Sequence, residues 1–163
     1  MATIPLNAYD RLPAADLAGK TVIDTMNYYP QRDGRVAVLD SAELTSSALV
    51  QRHLSGSRVV KAFNNIDFRR LLTSARPSGA ADRSALPIAD DDAAAKAEVA
   101  ALLNALGYDA VDIGAFADSC AVNPAHRSMC SRTSLRNARR ELTQDETYRW
   151  FLETPGVAVL PAE

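Results

Sequence analysis

A chain of 163 residues, 47% apolar and 23% charged, has globular composition and enough length to bury a real core. A net charge of −2 excludes a molecule that binds nucleic acid through overall charge, and no apolar run approaches the roughly 20 residues of a membrane-spanning helix. Two cysteines do not make a disulfide framework, and the opening MATIPLNAYDR lacks a basic region followed by an apolar core, so the expectation is a cytoplasmic protein without a secretory leader.

In chain order, Gly19 and Lys20 precede TVIDTMN, a β-branched run that reads as a buried strand. YYPQRDGRVA follows as a loop marked by Pro30 and Gly34. Asp40 stands three residues before Glu43, capping-box spacing that opens a helix over SAELTSSALVQRHL, with Gly56 as its stop. His53 falls late in that helix, where the dipole favours it. RVVKAF (Arg58 to Phe63) reads as the second strand, IDFRRLLTS as a helix and ARPSGAADR as a loop. SALPIA (Ser84 to Ala89) is the third strand. Asp90, Asp91 and Asp92 then lead into AAAKAEVAALLNAL, the strongest helix, with acids at its start and Gly107 after its end. YDAVDIG is the fourth strand. From Cys120 to Arg140 no period holds. Thr143 and Glu146 stand at capping-box spacing in TQDETYRWFLE, before Pro155-Gly156.

The order β-α-β-α-β-α-β predicts an α/β fold with a parallel sheet flanked by helices. Ligands of such sheets bind beyond the strands' carboxyl ends, here Asn27, Phe63-Asn64, Ala89-Asp90 and Gly114. No two of the seven glycines form a G-x-G, so the chain carries no dinucleotide fingerprint and no phosphate loop of the usual kind. No histidine pair has metal-ligand spacing and no serine sits on a nucleophile elbow; no metal ligand is expected.

GKTVIDTMNYYPQRDG, SRVVKAFNNI, and ALPIA followed by acids and AAAKAEVAALLNALGYDAVDIG together resemble the NADPH-dependent reductases of the deazaflavin coenzyme F-420 and their bacterial NAD(P)-binding relatives. The resemblance covers residues 2–119 and returns from about Leu142 to Pro155. It implies a partial Rossmann-like domain whose first strands and G-x-G-x-x-G turn precede the matched part, and so a truncated relative. It implies NADP(H) and coenzyme F-420 as cofactors and direct hydride transfer between two rings, with no essential side-chain acid or nucleophile. Asn27 then falls where the family places loop backbone near the nicotinamide, and Asn64, Asn65 and Ile66 fall in the turn beside the ring-stacking site. The plain alternatives are a strand-end turn for Asn27 and a helix cap for Asn64 or Asn65. Tyr28 and Tyr29 could cover a planar ring. Lys61, inside a strand, reads as a snorkelling structural lysine. Relatives carry glycine where this chain has Asp90, which either adds bulk and charge at a ligand approach or serves as one more helix-start acid.

The implied division is residues 1–119 as the later part of a nucleotide-binding domain, 120–141 as an irregular segment and 142–163 as a terminal helix and tail. In the irregular segment Cys120, His126 and Cys130 make a poor metal site, and five arginines without aromatic residues between them make a weak basic arm. Encoded with permissible codons and read one base back, Ala121 to Thr133 becomes GEPGTPVYVQPY, the run that relatives carry after their Asp-Ser pair. This reading expects one base lost after Ser119 and one gained before Leu142; ordinary divergence is the alternative. Two functions remain: a truncated hydride-transfer enzyme with little activity of its own, or a non-catalytic module. A module would form a homodimer, or pair with a separate first half, through the outer edge of TVIDTM. Resequencing the genomic DNA from upstream of Met1 through the stop codon tests this: a sequencing error would disappear, whereas a mutation in a decaying gene or ordinary divergence would leave the reading unchanged.

Overall fold

The computed structural model describes residues 1–122. The readings for the remainder of the irregular segment, the reading-frame expectation and the helix from Thr143 lie outside the described residues. A 3-10 segment (Leu6–Arg11) and a one-turn helix α1 (Ala14–Leu17) lead into strand β1 (Thr21–Asp24). Two more single turns, α2 (Pro30–Asp33) and α3 (Ala37–Asp40), precede α4 (Ser46–His53) and strand β2 (Arg58–Lys61). After the single turn α5 (Phe68–Leu71) come β3 (Ala85–Ile88), α6 (Ala93–Ala105), β4 (Asp109–Asp112) and a second 3-10 segment (Phe116–Val122).

The chain has an α/β fold of short parallel sheets with flanking helices, the arrangement of a partial Rossmann-like domain. β1 and β2 pair in parallel, Thr21 opposite Arg58 through Asp24 opposite Lys61. β3 and β4 pair likewise, Ala85 opposite Asp109 through Ile88 opposite Asp112. The two ladders are not one continuous parallel sheet. They meet at a single antiparallel bridge, where Lys61 N–H donates to the Ala89 carbonyl at 2.9 Å and Ala89 N–H to the Lys61 carbonyl at 3.1 Å. The physical reason lies in the connections. Parallel neighbours are usually joined by a crossover that contains a helix. α4 and α6 supply that between the parallel partners, whereas residues 62–84 carry only the one turn α5.

Local signals explain the elements that form. α6 is Ala- and Leu-rich, and Asp92 caps it by accepting from Ala94 N–H at 2.8 Å and Ala95 N–H at 3.1 Å. α4 begins later than Asp40 and Glu43 suggest, because Thr45 is its cap, accepting from Ala48 N–H at 3.2 Å. Asp40 instead accepts from the hydroxyl of buried Tyr28 at 2.8 Å. Asp67, rather than Asn64 or Asn65, caps α5.

Each sheet face carries its own core. Val22, Val59, Leu39, Val50, Leu54 and Tyr28 form one with Ala2 and Leu6; Ile23, Val60, Leu86, Ile88, Val99 and Leu103 form the other. Consecutive strand residues thus serve opposite cores, as a two-residue side-chain period requires. The outer edge of β1 is met over one position by Ala2, whose N–H donates to the Ile23 carbonyl at 2.8 Å and whose carbonyl accepts from Thr25 N–H at 3.2 Å.

One ion pair sits in the middle. Lys61 does not snorkel: its side chain is 1% exposed and that of Asp24 is 0% exposed. Lys61 Nζ lies 3.3 Å from Asp24 Oδ2 and also donates to the Met26 carbonyl. Asp24 further accepts from Ser47 Oγ and from Met26 N–H, both at 2.8 Å. Burial pushes the Lys61 ammonium below the usual lysine range, against the charge and hydrogen bond of Asp24. Removing one partner strands the other charge, so Lys61→Met should cost about 3–5 kcal/mol and Asp24→Asn/Lys61→Met markedly less than the sum of its parts. Urea titration of the four proteins checks this; additive losses would show that the pair is not coupled.

Candidate functional site

The predicted site residues come together beside this pair. Asn27 follows β1 and Asn64 follows β2, and their side chains interlock: Asn27 Nδ2 donates to the Asn64 carbonyl at 2.7 Å, and Asn64 Nδ2 to Asn27 Oδ1 at 3.1 Å. Neighbouring parallel strands deliver both residues to one place, which is why two asparagines far apart in sequence meet. Arg32 closes the loop from the other side, its Nη2 donating to the Asn27 carbonyl at 2.9 Å while its Nε is held 2.7 Å from buried Asp33. The charge of Arg32 is thus committed, and its guanidinium lies 5.0 Å over the Tyr29 ring.

Phe63, at the start of the turn, has φ +61°, a left-handed conformation that costs a residue with a side chain about 1–2 kcal/mol. That turn buries Asn65, which is 4% exposed and has neither its Nδ2 nor its Oδ1 hydrogen-bonded. Ile66 is half-buried and packs against the second core. Asn27 and Asn64 therefore meet at adjacent strand ends, and Asn65 and Ile66 follow Asn64 in the same turn. Tyr28 is not part of it: its ring is fully buried in the first core, its hydroxyl spent on Asp40 and Val36 N–H.

The carboxyl ends of β3 and β4 form a second cluster, linked through Asp90 N–H, which donates to the Gly114 carbonyl at 3.2 Å. Asp90 is no helix cap, since Asp92 does that. It is 3% exposed, its Oδ1 accepts from Asp91 N–H at 2.7 Å, and its Oδ2 has no hydrogen-bond partner. Burial pushes its carboxyl above the usual aspartate range, against the backbone N–H groups of Asp91 and Asp92, while the charges of those two residues add repulsion. The sequence marks Asp90 as one of three acids, and the resemblance marks it as standing in place of a glycine; neither signals burial. Asp24 was legible as the only charge in β1 and Lys61 as one of two in β2, but their contact depends on register.

Two comparisons with known proteins, against family models and against curated proteins, find no match. Solved structures do match. A hypothetical protein from Sinorhizobium meliloti is 26% identical at a TM-score of 0.56, covering 76% of this chain and 58% of that one. A protein from an Arthrobacter species, provisionally described as an F-420-dependent NADP reductase, is 26% identical at a TM-score of 0.51, covering 78% of this chain and 54% of that one. This chain is a distant relative of the F-420-dependent NADP reductases. It spans a little over half the length of either solved structure. Among the described residues no helix is long and apolar enough to cross a membrane.

The buried Asp90 carboxylate yields a prediction with a definite sign. Its folded-state pKa is raised, so the cost of burying the charge is fully felt above that value and is relieved as pH falls from there towards the ordinary value of 3.8. Asp90→Asn should raise the melting temperature at pH 7, by roughly the 2–4 °C that 1 kcal/mol shifts in a chain of this size. The gain should shrink as the pH is lowered towards 4. Melts at pH 7, 5.5 and 4 check it; a variant that melts lower throughout would mean that the carboxylate is stabilised where it sits.

Proposed function

We propose that this chain is one part of an oxidoreductase that passes hydride between NADP(H) and coenzyme F-420 or a similar acceptor. The observation that carries this reading is the Asn27–Asn64 interlock at adjacent strand ends, in a chain related to a reductase of that description. Hydride transfer asks a protein to hold two rings in contact and to keep water away; it does not require a nucleophile. A turn already committed to its conformation suits that task. Asn27 and Asn64 lock the turn, Arg32 braces the Asn27 carbonyl, and the Asn65 amide keeps a donor and an acceptor for a polar edge. When bound, the two cofactors supply the redox chemistry, and these residues orient them.

The 163 residues hold no glycine-rich turn to seat a pyrophosphate at a helix N-terminus. On this reading the chain alone has little activity and works with a first half that carries such a turn. The alternative is a non-catalytic module that pairs through the outer edge of β1. Its support is that Ala2 covers that edge over a single position.

Calorimetric titration of the isolated chain with NADPH should show no micromolar binding. Fused behind the first half of the Arthrobacter protein, the chain should bind NADPH and oxidise it with coenzyme F-420. In that fusion Asn64→Ala should slow turnover by roughly 10–100-fold, the scale of a misplaced reacting ring. A folded fusion that binds NADPH yet transfers no hydride would contradict the proposal.

A further inference from the structure

The Asn27–Asn64 interlock stands on two short arms of chain, and one side chain belongs to both. Lys61 ends β2 just before the Asn64 turn, and its backbone is fixed to Ala89. Its ammonium crosses to the other arm and donates to the Met26 carbonyl and to Asp24. That carbonyl is part of the peptide group that carries Asn27 N–H. A peptide group is planar, so fixing its oxygen fixes the direction in which the chain enters Asn27. Asp24 holds the peptide before it, accepting from Met26 N–H at 2.8 Å.

Stability alone does not account for this pair. Well-packed apolar residues of similar size often hold two elements together as well as a buried ion pair or better, because no charge has to leave water. What they cannot do is hold a carbonyl and an N–H of the following loop in one orientation. The contact with the Met26 carbonyl is buried, so an apolar side chain in place of the lysine leaves that oxygen with no partner. The ammonium answers to little else. Of the charged groups on the elements packed against β2 (Asp24 on β1, Arg52 and His53 on α4, Lys96 and Glu98 on α6, Asp90 after β3), only Asp24 acts on it.

We propose that Lys61 is a positioning residue of the Asn27–Asn64 site, holding the Asn27 carboxamide against Asn64 through the Met26 peptide. That this placement serves hydride transfer rests on the reading above; the placement itself does not. Lys61 acts through Met26 and Asn27 and touches no ligand.

The test compares the full chain with its Asp24→Asn/Lys61→Met variant by NMR. The asparagine keeps an acceptor for Met26 N–H, so the variant loses the grip on the Met26 carbonyl without leaving a charge alone. Circular dichroism should show it folded. The side-chain amide hydrogens of Asn27 and Asn64 should then exchange at least about fivefold faster, the scale of one lost hydrogen bond, and the Overhauser contact between the two side chains should weaken. Leu103→Ala, which opens a cavity in the second core, should leave that contact in place. Unchanged exchange and contact in the double variant would overturn the proposal, as would equal loosening by Leu103→Ala. If the double variant does not fold, the native chain decides: as the pH is raised, the Asn27 carboxamide carbon should shift with the same midpoint as Lys61 Nζ, and a carbon that stays still while Lys61 titrates would overturn the proposal. In the fusion with the first half of the Arthrobacter protein, the double variant should lower kcat roughly tenfold or more while NADPH affinity changes less than about twofold. A native fusion that transfers no hydride would count against the hydride reading alone, because the NMR comparison needs no activity.

Discussion

A lysine ammonium placed almost wholly out of water must lose its proton or find a partner, and the fold is arranged around the partner that Lys61 finds. Asp24 ends β1 and Lys61 ends β2, so the parallel register that sets Val22 and Ile23 against Val59 and Val60 also sets these two charges side by side. A slip of one residue would turn the apolar side chains to the wrong faces and separate the charges together. The lysine then reaches across to the Met26 carbonyl and fixes the first turn of the loop leaving β1. Ser47 on α4 satisfies the remaining capacity of Asp24 and ties that helix to the same point.

The backbone of the same lysine makes the other join. Lys61 and Ala89 exchange hydrogen bonds, so the β1–β2 and β3–β4 ladders meet at their carboxyl ends. The consequence for ligand sites is geometric. An all-parallel sheet would align its strand ends along one edge. Here the ends of β1 and β2 carry the asparagine cluster, whereas the chain leaving β3 turns back beside the start of β2 and forms the acidic cleft. One is neutral, amide-lined and already cross-linked; the other is lined by three aspartates and one arginine.

Much of this was legible in the sequence, for reasons that can be named. TVID, RVVK and ALPI read as strands because β-branched and aliphatic side chains fill both faces, and α6 reads as a helix from alanine, leucine and the acids before it. The strand ends pointed to Asn27 and Asn64 before their contact was visible. Direction was not legible, because an element order does not say whether a connection crosses over, and IDFRRLL looks longer than the single turn α5 that it forms. Phe68 and Leu72 within it are 76% and 88% exposed. Capping at Asp40 failed because its carboxylate is taken by Tyr28. The burial of Asp90 was not legible, because its backbone partner Gly114 is distant in sequence.

The account stands on the Lys61–Ala89 bridge, since it separates two ladders and two sites from a single parallel sheet. Amide hydrogen exchange resolved by residue tests it most directly. Lys61 and Ala89 N–H should exchange with the slowest amides of the protein, alongside Val60, and Lys61→Met should speed both together. Rapid exchange at Ala89 while Val60 stays protected would show that the ladders are not joined there, and the arrangement of both sites would have to be redrawn.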